Sequence, residues 1–346
     1  MEFDDNLEVA VDSPGHVVGS ITSLATVIAA KAKTYSITLD TDFSYQEYGG
    51  PGETRGLDGF KPAVSLKFIK KTKLTDYTLA ASFVRQDATT SEFDESGLTN
   101  IDGDRLTYSA NASVNHQVNR SNNLIFSTNV TTVDFTETTP SLTPYFDANA
   151  RLAWKHMMTR RTDATVSGSL GYYNADNLED TESWIFRSNV DVAHRWTKRL
   201  TVTGGLGANF VRTSRTTGSE DNSGFSGNVG LNYRRKQTTI RLNLSHSLDP
   251  SSTGELENRT SASIGFIRKI TRRSTFAVDA SFGMQRSFDS SDNSRETLSI
   301  SPLYTYMPAR NWQTSLGYTY RYSHDTESAQ SHKVFMSVSR SFTPLP

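Results

Sequence analysis

Few residues in this 346-residue chain could carry out chemistry, and their spacing assigns most of them ordinary roles. The seven histidines, His16, His116, His156, His194, His246, His324 and His332, form no HExxH pair and no other zinc spacing. His324 and His332 could meet across one hairpin, but two imidazoles fall short of a zinc ligand set, so solvated loop histidines are the expectation. Gly204-Gly205-Leu206-Gly207 lacks the strand-loop-helix context in which glycines cradle phosphate, and reads as small residues easing packing within a strand. No Gly-x-Ser-x-Gly elbow occurs, and the many serines single out no Ser-His-Asp set. The chain has no cysteine, which excludes thiolate nucleophiles, zinc ribbons, iron–sulfur clusters and disulfides. The expectation is a protein that is not an enzyme, with no catalytic residue, no metal site and no cofactor.

The charged side chains that remain stand at alternate positions among Ser, Thr, Asn and Gly, and they are the candidates for handling a solute. They are Arg105, Asp147, Arg151, Arg187, Asp191, Arg195, Arg241, Arg259, Asp279 and Arg321. Their setting has period two. Val202, Leu206, Ala208 and Phe210 share one face while Thr201, Thr203 and Asn209 share the other, the pattern of a strand with one wet face. The same alternation recurs along the chain and predicts strands at 3–11, 17–30, 35–45, 61–69, 77–86, 105–118, 123–133, 144–154, 164–173, 184–196, 200–213, 224–233, 238–248, 259–267, 274–288, 297–307, 312–323 and 332–342. That is eighteen strands, with sixteen as the alternative count.

The connections fall into two alternating classes. One class (12–16, 46–60, 87–104, 134–143, 174–183, 214–223, 249–258, 289–296, 324–331) carries 26 Asp+Glu and 3 Lys+Arg. The other (31–34, 70–76, 119–122, 155–163, 197–199, 234–237, 268–273, 308–311) carries 19 Lys+Arg and 2 Asp+Glu. An up-and-down meander sorts its connections this way because alternate ones lie at opposite ends of the strands, whereas a Greek key or propeller does not. The Ser/Thr/Asn/Gly faces offer few large residues for a core, so the apolar faces must look outward. The predicted fold is therefore all-β: an antiparallel up-and-down transmembrane β-barrel with short basic periplasmic turns and longer acidic extracellular loops, one domain over 1–346. A soluble β-repeat or β-solenoid would need a fixed period, and the spacings vary. Aromatics such as Trp154, Trp184, Trp196, Phe210 and Trp312 lie toward strand ends, as at membrane interfaces, although strands favour aromatics in any setting.

Composition agrees with this reading. With 35% hydrophobic residues and a mean hydropathy of -0.51 the chain has no apolar stretch of ~18 residues for a transmembrane helix, which leaves a barrel open. A net charge of -1 gives no bulk-electrostatic case for nucleic acid. Met1 to Asp5 is acidic where an export signal would be basic, so the sequence reads as that of a mature chain.

The opening Glu2-Phe3-Asp4-Asp5-Asn6-Leu7, then Pro14-Gly15 and the repeated amphipathic strands ending in an aromatic, resembles the outer-membrane β-barrel porins that accompany exopolysaccharide or exosortase-type systems. Val334, Met336, Val338 and Phe342 resemble the terminal aromatic strand recognised by the outer-membrane assembly machinery, with Thr343-Pro344-Leu345-Pro346 following the Phe. The resemblance implies an integral bacterial outer-membrane barrel with a polar lumen, in contact with the bilayer, lipopolysaccharide and that machinery.

The functional expectation is a channel or porin passing polar solutes. The alternatives are a barrel exporting a polysaccharide with a periplasmic partner, and a non-conducting structural or adhesion barrel. The selectivity candidates are Arg151, Arg187, Asp191, Arg195, Arg241, Asp279 and Arg321, with arginines outnumbering acids and so a weak anion preference. Each arginine could equally hold the wall rigid, for example Arg187 with Asp191. The 87–104 loop carries Asp87, Glu92, Asp94, Glu95, Asp102 and Asp104 and no positive residue, so attraction to Arg187 and Arg321 would draw it into the mouth as a constriction. The competing reading is a solvated acidic loop bridged to lipopolysaccharide by divalent cations.

Overall fold

The computed structural model describes all residues except 7–8, 10–14, 51–57, 100, 137–141, 289–293, 326 and 343–346, and the side chain of Asp94. The strands are β1 (Glu2–Asp4), β2 (Val17–Lys31), β3 (Tyr35–Gly49), β4 (Gly59–Lys71), β5 (Thr75–Asp87), β6 (Asp104–Gln117), β7 (Asn122–Phe135), β8 (Tyr145–Met157), β9 (Thr162–Ala175), β10 (Thr181–Arg195), β11 (Leu200–Arg215), β12 (Gly218–Arg234), β13 (Thr238–Pro250), β14 (Leu256–Lys269), β15 (Ser274–Ser287), β16 (Ser294–Ala309), β17 (Trp312–His324) and β18 (Ser328–Arg340). Among the described residues there is one helix, α1 (Ala88–Glu95), between β5 and β6. From β2 to β18 each strand pairs antiparallel with the next, and β1 joins β18 to β2, so eighteen strands form one closed barrel.

The alternation in sequence becomes the two faces of the wall. In β10, Trp184, Phe186, Val190 and Val192 are exposed on the outside while Ser183 and Ile185 are buried inside. Register carries the phase around the ring: Arg187 stands opposite Ser169 on β9 and Asn209 on β11, and Ser169 stands opposite Arg151 on β8. The outer band holds Leu206 (75% exposed), Leu24 (67%), Leu152, Val190, Ile264 and Leu316. Aromatics bracket it: Trp154, Trp196 and Trp312 near the basic turns, and Tyr172, Trp184, Phe210 and Phe225 toward the acidic end, with the Tyr172 and Trp184 rings 5.0 Å apart. The short basic turns close on themselves, as where Thr197 N bonds Leu200 O at 3.2 Å.

Two expectations about extent change. Strands β2 to β18 run 13 to 17 residues, most of them longer than the sequence spans, because pairing continues through the polar rim. The clearest case is β11 and β12, which stay paired up to Arg215 and Gly218 while β12 pairs with β13 only from Gly227 to Arg234, leaving a two-stranded ribbon at the acidic end. The strand expected at 3–11 is instead the three-residue β1; of its remaining positions, 7–8 and 10–11 lie outside the described residues. After β1 the chain follows β18, Asn6 Nδ2 donating to Gln330 O at 2.9 Å, and Val9 adopts φ 50° and is buried beside Phe93 and Ala329.

Candidate functional site: the lumen and its mouth

The acidic end is filled by a core inside the barrel. Val133, Phe135, Tyr145, Tyr173, Ala175, Ile185 and Val211 point inward from β7 to β11 and pack with Ala88, Ile101, Leu142, Leu248 and Leu256. Two segments reach across the mouth to complete this packing. The first is α1 with the residues after it. Asp87 caps α1, its carboxylate accepting from Thr90 N at 3.1 Å and Thr90 Oγ1 at 3.0 Å, which satisfies helix-terminal donors. The second is the 251–255 turn, held by Tyr173 Oη donating to Ser251 O at 2.9 Å, Thr143 N donating to Ser252 O at 2.7 Å and Asn177 Nδ2 donating to Gly254 O at 3.1 Å.

The two segments meet at Glu92, which is 1% exposed. Its carboxylate accepts from Ser96 Oγ at 2.6 Å and from Ser252 Oγ, and lies 3.6 Å from Arg105 Nε. Arg105 also pairs with the half-exposed Glu95 and donates to Tyr145 Oη at 3.0 Å. Burial pushes the Glu92 carboxyl above the usual carboxylate range, while the nearby Arg105 charge acts the other way. Phe93 is buried against Val9 and Ala329, and the Arg321 guanidinium lies 5.6 Å from its ring centroid.

Among the residues proposed for a constriction, Glu92 and Glu95 therefore lie in the mouth, with Arg105 as their ionic partner rather than Arg187 or Arg321. The side chain of Asp94 lies outside the described residues. Asp102 is half-buried at the end of the segment. Asp104 belongs to β6 instead of the loop, and pairs with Lys61 and with Arg85 Nε at 2.6 Å. Arg321 is taken up by β1: its Nη2 donates to Asp4 Oδ2 at 2.8 Å, and Ser331 Oγ donates to Asp4 Oδ1 at 2.7 Å.

Below the core the lumen is polar. A cavity of about 450 Å³ is lined by Asp147, Arg151, Arg187, Asp191, Asn209 and Asn228, among others. Arg151 donates to Ser167 Oγ at 2.9 Å and lies 3.8 Å from Asp191 Oδ2, so Asp191 partners Arg151, not Arg187. Arg187 donates to Leu248 O at 3.0 Å and stands in the same lining as Asp147 and Asp249. Asn209 is 1% exposed, and both carboxamide atoms lack a hydrogen-bond partner among the described residues. Nearer the basic end, Arg241 and Asp279 line a cavity of about 290 Å³ with Ser263, Ser281, Ser299 and Ser301. Arg195 is turned to the rim, its Nη2 donating to Arg160 O at 2.9 Å. His332 bonds Tyr318 Oη at 2.7 Å, and its register partner is Tyr320 while His324 stands opposite Ser328, so the two histidines do not meet. Among the described residues no group of three or more His, Asp or Glu is placed to hold a metal.

Sequence reasoning missed Lys61, Tyr145, Tyr173, Phe93 and Ser252. The strand phase carries a signal for the first three, since each falls on the inward parity of its strand. Nothing local marks Phe93 or Ser252.

No family model matches the sequence, and no curated protein matches it. Among solved structures the barrel is similar to the FrpB iron transporter from Neisseria meningitidis (F5-1 variant), with a TM-score of 0.54 and 8% identity over 94% of this chain and 63% of that one. It is also similar to the copper transporter OprC (TM-score 0.51, 11% identity, 90% of this chain and 60% of that one). A third likeness is to the ferric citrate transporter FecA in the unliganded form (TM-score 0.51, 10% identity, 94% and 59%). This chain spans about three fifths of the length of those proteins. At such identities the likeness is one of fold: a closed antiparallel β-barrel.

Proposed function

We propose that this chain is an integral outer-membrane barrel that passes polar solutes, with a mouth closed by α1 and the 251–255 turn. The observation that carries this reading is the division of the lumen into a packed acidic end and a lower half lined by Arg, Asp, Asn and Ser. A solute leaving water needs such groups to replace part of its hydration shell. The outward band of Leu, Val and Ile, bracketed by aromatics, suits a bilayer. The transport roles named for FrpB, OprC and FecA support a transport role here. Conductance in planar bilayers tests it, and a barrel that stays silent with α1 displaced would be a structural one instead.

Within this reading Arg151, Arg187 and Arg241 give the pore a weak anion preference. Replacing Arg187 and Arg241 by Gln in an opened barrel should move the reversal potential in a salt gradient toward cations; an unmoved potential would make them wall supports only. A second reading, export of a polymer delivered by a periplasmic partner, draws on the basic rim, where Lys198, Arg199, Arg234 and Arg241 line a concavity of about 520 Å³ suited to an anionic chain.

The acidic end faces the cell exterior in this proposal, since longer loops are extracellular in such barrels, and its carboxylates can meet lipopolysaccharide through divalent cations. Leu178 and Thr197 are exposed at opposite ends. Leu178→Cys should react with a membrane-impermeant maleimide on intact cells, and Thr197→Cys only after permeabilisation. The reverse pattern would invert the topology.

A further inference from the structure

The barrel is closed between β18 and β2 by β1 alone, and β1 is three residues deep. It pairs with Val17–Gly19 on one side and Lys333–Phe335 on the other, and Met1 adds a reciprocal pair of backbone bonds to Met336 at 3.1 and 2.9 Å. Toward the basic end, among the described residues, Ser20 to Lys31 of β2 pair with β3 on one side and Ser337 to Arg340 of β18 pair with β17 on one side, while no strand lies along the seam-side edge of either. The exposure is consistent with this: every β2 residue from Ser20 to Lys31 is exposed, including Ile21 and Val27 on the lumen side. Two rows of backbone N–H and C=O groups are thus left without partners at the level of the apolar band. Hydrocarbon offers such groups nothing to bond, which is why membrane barrels have no open edges.

Geometry limits what can fill the seam. β2 and β18 both run from the acidic to the basic end, so they cannot pair antiparallel with each other. A second copy of the barrel lying in the same membrane would present its own β2 or β18 edge in that same direction. One strand running the opposite way satisfies both edges, as β1 already does. The composition of β2 fits a paired strand as well: Ser20 to Ala30 has no charge and is rich in Ile, Val and Thr, the type of edge that aggregates if left open.

We propose that the seam is a strand-receiving site, and that its occupant is an extended segment continuous with β1, running outward from the basic end. The register fixes its properties. It is about eleven residues long, opposite Ile21 to Lys31. It alternates apolar side chains in phase with Met1 and Phe3, toward lipid, with small or polar ones in phase with Glu2 and Asp4, toward the lumen. Its third residue ahead of Met1 falls between Ser23 on β2 and Ser339 on β18, both on the lumen face. This inference concerns the wall and holds whether or not the pore conducts.

The test fuses an eleven-residue strand of that pattern ahead of Met1, with a cysteine at its third position, to the full chain carrying either Ser23→Cys or Ser339→Cys. The chain has no other cysteine, so each disulfide reports one contact. Both disulfides should form, and the fused barrel should unfold at higher denaturant than the unfused one. Amide hydrogen exchange at Ser20 to Lys31 in the unfused chain should be fast, and it should slow at least tenfold on fusion. Four outcomes would overturn the proposal: a disulfide to one side only, equal closure by an extension shifted one residue out of phase, protection already present without the extension, or dimer cross-links through Ser23→Cys alone. Capture of the same strand as a free peptide, with failure of the fused form, would reject continuity with β1.

Discussion

Replacing residues 90–101 by a short Gly-Ser linker should convert a silent barrel into a conducting one. The segment contributes Phe93 and Ile101 to the mouth and brings Glu92 to Ser252, so its loss unseats one of the two arms that meet there. An eighteen-strand barrel without that arm has the girth of porins with aqueous channels, so single-channel conductance should rise on the order of tenfold or more. Arg105→Ala tests the same closure from the wall. It leaves Glu92 buried with no ionic partner, a change that costs about 3–5 kcal/mol when a buried pair loses one member, so intermittent openings are expected. Unchanged conductance in the linker variant would mean that 88–103 packs in the mouth without limiting the pore, and would shift the search for a constriction to Arg151 and Arg241.

The second large effect concerns the outer wall. Leu206 is 75% exposed on the apolar face, whereas Asn243 stands opposite Ser263 and Gly230 on the lumen face. Leu206→Arg should hinder assembly by about 2–4 kcal/mol, the cost of arginine at the midplane of a barrel's lipid face, while Asn243→Arg should assemble as the parent does. Folding into lipid vesicles, read by heat-modifiable migration on cold gels, separates the two. Equal assembly would mean that the inside and outside of β11 and β13 have been exchanged.

Most of the wall is legible in the sequence because a strand's faces follow from period two, and the charge of the connections assigns each strand an end. That suffices to place Arg151, Asp191, Arg241 and Asp279 on the lumen face. The mouth is much less legible. Glu92 and Phe93 are neighbours on α1, yet both are buried, one on Ser252 and Arg105 and the other on Val9 and Ala329. Ser252, Val9 and Ala329 lie far away in sequence, and an acidic segment reads as solvated until the side chain of the nearer Arg105 is known to turn toward it. Asp104 illustrates the same limit: its partner Lys61 is brought near by the closing of the sheet and not by any motif. The helix left a local trace in Asp87 followed by Thr90, a capping pair that predicts an N-terminus without saying that the helix lies inside the barrel.

The core inside the mouth has a thermal consequence. Closure by Ala88, Ile101, Leu248 and Leu256 against Val133, Phe135, Tyr173 and Ile185 removes apolar surface from water, and association of that kind lowers the heat capacity. Its driving force weakens as water is cooled, unlike that of a latch made only of ion pairs. In the proposed channel, opening of the mouth should therefore become more frequent as the bilayer is cooled, and rarer as it is warmed.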